Sequence, residues 1–307
     1  MELLKLARTI CWIAGLTSMT TPGFSAERAR VVLLGTGTPV PDPSSSGPAV
    51  AVVVNGQAYL FDAGAGVVRR AEAAAQKFGI PGLEATNLTR LFFTHLHSDH
   101  TLGYPDVILT PWVVGRRVPL EVYGPKGTTD MTQHLTRAYA ADIKVRTEGF
   151  EGLSPRALTV NVHEIAESGL VYRDANVSIR AISVPHGSWP QAFGYSIESD
   201  GRTIVISGDT APSEEIEKAC RGCDVLVHEV YSADRFNVLF PKEQAQYHST
   251  FHTSTKELAE LASKSKPKLL VLYHQLYFGS REEVNLEKEV KRGYSGAVVN
   301  GRDLTVY

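Results

Sequence analysis

The chain has 307 residues, with 31 Lys and Arg against 33 Asp and Glu and a formal net charge of −2. That balance lacks the basic excess with which nucleic-acid binders hold phosphates, so nucleic acid is not expected as a partner. The length suits one large α/β domain with its own core rather than several small ones.

Lys5 and Arg8 precede an apolar run over residues 9–16, followed by small residues up to Ser25 and Ala26. This reads as a secretory signal peptide over 1–26. The run is too short for a comfortable membrane span, so cleavage is expected, leaving a mature domain over 27–307 that is periplasmic or secreted and has no stable span. Lys5, Arg8 and Glu2 leave with the segment, and the remainder is slightly more acidic. A homodimer is left open.

Short apolar stretches bounded by turn residues predict strands at 30–34, 49–54, 58–62, 90–94, 120–123, 177–184, 193–198, 203–207, 224–228, 269–273, 296–299 and 304–307. Apolar residues at helical spacing predict helices at 67–78, 128–139, 213–220, 255–264 and 281–291. Turns such as Asn55-Gly56 and Asp200-Gly201 mark hairpins. Two mixed sheets covered outside by helices would bury this much Val, Ile and Leu.

Immediately after the predicted strand at 90–94 come His95, His97, Asp99 and His100. Strand alternation points His95 and His97 to one side, and the turn that follows can swing Asp99 and His100 around a second ion. Imidazole suits zinc, and carboxylate suits zinc, iron or manganese. A single ion with an open position cannot use all four, so they read as two half-sites awaiting distant ligands. Those fall at later strand ends: His186, Asp209 and His274. Cys220 and Cys223 form a C-x-x-C with no second pair to complete a zinc site. They read as small buried residues or as a disulfide of an exported chain. The Gly-rich stretch from Leu34 to Pro39 has the order of neither a dinucleotide motif nor a P-loop and reads as a tight turn near the cleft. Asp62 reads as a buried hydrogen-bonding support. Trp112, Trp189, Tyr104 and Phe193 are candidates both for an apolar leaving-group pocket and for ordinary packing.

His95-x-His97-x-Asp99-His100, the downstream His186, Gly208-Asp209-Thr210 and the late His274 resemble the metallo-β-lactamase superfamily, from about Val31 to Tyr307. The Gly-Thr-Gly turn after Leu34, Phe61-Asp-Ala-Gly-Ala-Gly66, and His252-Thr-Ser-Thr255 opening a helix are most similar to its ribonuclease Z and arylsulfatase-like branch. The resemblance implies a four-layer αββα sandwich with two mixed sheets and a two-metal cleft. It implies two Zn2+, with Mn2+ or Fe as alternatives: His95, His97 and His186 on one ion, Asp99, His100 and His274 on the other, and Asp209 bridging. It also implies His252 as proton donor to the leaving group. Glu229 would hold the useful tautomer of His252, and Asp99 would orient the attacking hydroxide.

The expected activity is therefore that of an exported di-zinc hydrolase, a phosphodiesterase or arylsulfatase of small-molecule esters. The alternatives are a β-lactam hydrolase, a ribonuclease Z-type tRNA 3′ endonuclease, and a redox or metal-binding member of the fold. Three departures weigh against transfer RNA. Too few positions separate His186 from Asp209 to hold the family's tRNA-gripping arm. The loop from Pro41 to Gly47 lacks its usual arginine. Gln275-Leu-Tyr-Phe-Gly279 after His274 lacks its serine- and arginine-containing tail.

Overall fold

Apolar side chains alternating along each strand build two sheets around a shared core. The computed structural model describes residues 29–239 and 242–307, so the expected signal segment at 1–26 lies outside the described residues. Strands β1 (Arg30–Gly35), β2 (Ala49–Val54), β3 (Gln57–Phe61), β4 (Arg90–Phe92), β5 (Leu120–Gly124) and β6 (Val160–Glu164) lie side by side in chain order. The second sheet, also in chain order, holds β7 (Gly169–Arg173), β8 (Ser178–Ser183), β9 (Phe193–Ser199), β10 (Arg202–Ile206), β11 (Val225–Tyr231), β12 (Leu270–Leu276) and β13 (Val298–Asn300). A last strand, β14 (Thr305–Val306), returns to pair with β1. Both sheets are mixed. The first is antiparallel through β1, β2 and β3 and parallel from β3 to β6. The second is antiparallel from β7 to β10 and parallel from β10 to β13.

Successive residues show the layering. Val31, Leu33, Val50 and Val52 pack between the sheets with Ile204, Ile206 and Val227. Their neighbours Val32, Leu34, Ala51 and Val53 face the other way, against Ala71 and Ala74 of the helix Val67–Phe78. On the far side Val205, Leu226 and Leu270 meet Leu258 and Ala262 of the helix Thr255–Ser265. This is the expected αββα sandwich. The two helices have local reasons to begin and end where they do. The first stops at Gly79, whose left-handed backbone (φ 62) returns its N–H to Ala75. The second starts from a reciprocal Ser254–Glu257 cap.

Two backbone features position the site. A Cβ on Gly103 would lie 2.3 Å from the Gly64 carbonyl oxygen, and one on Gly64 2.2 Å from the Gly47 carbonyl carbon. Backbone therefore packs on backbone there. Ala63 N–H donates to the His100 carbonyl and Gly103 N–H to the Ala63 carbonyl, each at 2.8 Å. The Gly-rich turn after Phe61 is thus locked to the short helix Ser98–Thr101, which carries Asp99 and His100. The second feature is a register shift between β11 and β12: Glu229 pairs with Tyr273 and Val230 with Gln275, leaving His274 as the extra residue, with φ 42. Such a bulge re-aims a side chain. A left-handed non-glycine residue costs roughly 1–3 kcal/mol and persists where its surroundings hold it.

Cys220 and Cys223 are buried and joined as a disulfide in the turn between the helix Glu214–Ala219 and β11. Among the described residues no helix is long and apolar enough to cross a membrane.

Candidate metal centre

The chain leaves β4, β8 and β10 at one end of the sandwich, and the side chains beyond those strands converge there with His274, the bulged residue of β12. His95 Nε2 lies 2.8 Å from His97 Nδ1, which lies 3.2 Å from His186 Nε2. These three nitrogens and an Asp209 oxygen form one cluster. Asp99, His100 and His274 form a second: His274 Nε2 is 3.2 Å from Asp99 Oδ2, and His100 Nε2 is 3.6 Å from it. Asp209 Oδ2 reaches the second cluster too, 3.3 Å from His274 Nε2 and 3.4 Å from His100 Nε2. Tetrahedral zinc with ligands about 2.0–2.1 Å away separates those ligands by about 3.3 Å, so these spacings suit ions at both clusters.

Unpartnered buried atoms support the same reading. His100 Nε2 and Asp209 Oδ1 are buried with no hydrogen-bond partner, and buried polar atoms are ordinarily satisfied. Burial pushes His95 well below the usual imidazole range and His186 down to about 4, which keeps both in the neutral, metal-binding form. Although burial works against its charge, the Asp209 and Asp62 carboxylates hold His100 well above the usual range. Burial alone would raise Asp209, but His274 and His100 pull it well below the ordinary carboxylate value. Charge is thus stabilised on Asp209 and His100 and disfavoured on the His95 and His186 rings.

Hydrogen bonds behind the ligands fix which nitrogen faces inward. Thr94 Oγ1 donates to Asp62 and accepts from His95 Nδ1 at 2.9 Å, leaving His95 Nε2 unprotonated. His186 Nδ1 donates to the Phe251 carbonyl and His100 Nδ1 to Asp62 Oδ2, each at 2.8 Å. Asp62 also accepts from Thr94 N–H at 2.8 Å, so one buried carboxylate braces both clusters, the supporting role expected of it. Asp62→Ala is expected to weaken metal binding by about 10- to 100-fold, the usual worth of such outer partners. Zinc titration against a competing chelator checks this, and unchanged affinity would contradict it.

His252 sits between the helices Lys242–Phe251 and Thr255–Ser265. Its Nδ1 is 3.4 Å from Glu229 Oε2 and 4.0 Å from Asp209 Oδ2. Glu229 is fully buried on β11, and its other oxygen accepts Thr253 N–H at 2.7 Å. Burial disfavours an imidazolium, but Glu229 and then Asp209 raise His252 above its usual 6.5. The carboxylate takes the Nδ1 side, which leaves Nε2 as the nitrogen free of that contact. His252 also falls within ligand distance of Asp209 and His274.

Of the four aromatic residues considered for a pocket, Tyr104, Trp112 and Phe193 are core residues with 2% exposure or less. Only Trp189 stands at the site, its Nε1 2.6 Å from His97 Nε2. The Gly-rich turn does approach the cleft, since Thr36 O receives Gln275 N–H at 3.5 Å beside His274. Asp303 was not anticipated. It accepts from Thr36 N–H, Ser46 N–H and Arg70, all within 2.8 Å, and so anchors the loop at 36–46. No sequence signal singles out a lone Asp in a C-terminal turn. His228 is buried, with Nδ1 2.7 Å from the Glu229 carbonyl, while His134 and His163 lie at the surface.

The profile of the "Beta-lactamase superfamily domain" matches residues 57–275. A protein of Mycobacterium bovis (strain BCG / Pasteur 1173P2) named "Ribonuclease Z" is 33% identical over 279 residues, covering 90% of this chain and 96% of that protein. The solved structure of the metallo-beta-lactamase fold protein YhfI from Bacillus subtilis has TM-score 0.69 at 18% identity, covering 91% and 98% of the two chains. That of human tRNase Z, short form, has TM-score 0.66 at 24% identity with the same coverage. The mycobacterial relative runs against the expectation that nucleic acid is no partner.

Proposed function

The chain belongs to the metallo-β-lactamase superfamily, in its ribonuclease Z branch, and on that premise we propose that it is a two-metal phosphodiesterase whose substrate is an RNA strand. Identity of 33% along 96% of a protein named ribonuclease Z carries the reading. The seven converging side chains supply its chemistry. Two divalent ions, zinc first, would provide a water ionised near neutral pH and a positive clamp on the phosphoryl oxygens. His95, His97 and His186 would hold one, Asp99, His100 and His274 the other, with Asp209 shared. Asp99, buried in the second cluster, orients the attacking oxygen. His252, with Nδ1 turned to Glu229, delivers a proton from Nε2 to the departing oxygen.

A second reading, an exported hydrolase of small phosphodiesters or aryl sulfate esters, is favoured by the basic and apolar N-terminal segment and by the Cys220–Cys223 disulfide, a bond of oxidising compartments. One panel separates the two: zinc-loaded protein assayed on precursor tRNA, bis(4-nitrophenyl) phosphate, an aryl sulfate and a β-lactam. The expected result is about two zinc ions per chain by elemental analysis, with cleavage of RNA and diester and none of the lactam. Full activity with a single ion would remove the two-metal scheme. Sulfate cleavage without RNA cleavage would select the second reading.

A further inference from the structure

One wall of the metal centre, beside His97 and His186, is made of aromatic rings that the chemistry above does not use. The Trp189 ring centre is 4.9 Å from that of His97 and 5.9 Å from that of His95. The Phe251 ring lies 5.0 Å from His186 and, at 6.4 Å, nearly parallel to His97. Tyr247 stacks on Phe251 with centres 4.4 Å apart and planes 24° from parallel. Four residues apart on one helix, Tyr247 and Phe251 share a face.

The wall is built. Gly187, next to His186, has φ +53, and a Cβ there would meet the Phe251 ring at 2.1 Å. Gly187 N–H donates to the Thr250 carbonyl at 2.9 Å, so the loop bearing Trp189 and the end of the Phe251 helix are held together. Core packing explains Phe251, which is buried. It does not explain Tyr247, which is 53% exposed, or the half-buried Trp189 at the rim of a polar cleft. The stripe also has a direction. The His252 and Phe251 rings both lie against His186, at 5.5 and 5.0 Å, so the rings run outward from the side of the cleft where the proton donor stands and the leaving group of a substrate would lie.

The geometry points to Trp189, Phe251 and Tyr247 as a stacking platform for a planar ring carried by the substrate next to the scissile phosphate. This rests on the phosphodiesterase reading. The ring is a nucleobase if the substrate is RNA and an aryl group if it is a small diester. Stacking on an aromatic side chain is indifferent to the identity of the base, so the platform confers a preference for ring-bearing substrates without reading sequence.

The test is binding of adenosine 5′-monophosphate, 4-nitrophenyl phosphate, ribose 5-phosphate and methyl phosphate to the zinc-loaded protein by calorimetry, with zinc counted in every variant. The wild type is expected to bind a ring-bearing phosphate about 10-fold or more tighter than its ring-free counterpart, the scale of one stacked base. Preference for the adenosine compound over ribose 5-phosphate identifies a nucleobase, and preference confined to the nitrophenyl compound identifies an aryl group. Tyr247→Ala and Trp189→Ala should erase most of the preference at unchanged zinc content, while Trp189→Phe retains it. Equal binding of ring-bearing and ring-free phosphates, or binding of none, overturns the platform. A clear ring preference in a protein that cleaves no phosphodiester leaves the platform standing and removes the proposed function instead.

Discussion

Asp209→Ala is expected to empty both clusters and lower turnover by about 10³-fold or more, the scale seen when one member of a group acting as a unit is removed. Asp209 is 2% exposed and, among the described residues, is the one carboxylate within ligand distance of both half-sites. It also lies 3.4 Å from His100 and 3.3 Å from His274, beside Asp62 at 2.8 Å from the first and Asp99 at 3.2 Å from the second. Its loss removes a negative charge that the imidazoles of both clusters share. Asp209→Asn separates charge from shape: the amide fills the same space but cannot serve as an anionic bridge. Both variants should fold, give circular dichroism like the parent, and carry well under two zinc ions per chain. An Asp209→Asn protein with two ions and normal turnover would remove the bridging role.

His252→Ala is the second large effect, and its size depends on the substrate. Protonation of the leaving oxygen by a positioned acid is worth about 10²- to 10⁴-fold, so the variant should lose that much on an alkyl or ribose leaving group. With nitrophenolate, which departs unprotonated, the loss should shrink markedly. The pH profile carries a matching sign. Glu229 and Asp209 raise His252 above 6.5, so the proton-bearing form persists past that value, and rates on poor leaving groups should fall as pH rises through the raised point, above 6.5. Glu229→Gln, which removes the supporting charge, should move this alkaline limb to lower pH. Equal losses across a series of leaving groups would exclude the acid. Loss of zinc in His252→Ala would place the residue among the ligands, a role its distance to Asp209 and His274 permits.

Where one physical rule acts alone, the sequence was read closely. The helix Val67–Phe78 and strand β2 have the expected bounds, since one has a clean apolar stripe ended by Gly79 and the other is buried throughout. β6 and β7 were missed because they close the edges of the two sheets and are half solvated, so their alternation is weak. The helix Tyr104–Val113 was hidden by Pro105 and Pro111. The first sits in the opening turn, where no N–H is needed, and the second comes near the end. The helix expected over 281–291 shrinks to Leu286–Val290, because the Asn285 side chain caps Lys288 N–H and starts it late.

The ligands were legible because side chains that bind a metal have few other reasons to crowd together. Of the aromatic wall only Trp189 was a candidate, with packing as its other reading, and Phe251 and Tyr247 were not, because nothing local tells a ring near a helix end which way to face. Nor did alternation foresee the bulge that turns His274 inward, since a run of apolar residues carries no mark of an extra residue in the ladder.

Each cluster draws on both halves of the sandwich: His95, His97, Asp99 and His100 follow the first sheet, while His186, Asp209 and His274 belong to the second. Elsewhere the sheets meet through the apolar layer between them and through polar contacts such as Arg90 to Tyr172, Tyr59 to Asp174 and Tyr195 to the Phe93 carbonyl. A cation bound here is therefore also a rivet across the seam, and its affinity is partly cohesion of the fold. Zinc held tightly means halves held tightly, and any melting temperature for this protein refers to a stated free-metal concentration as much as to the polypeptide.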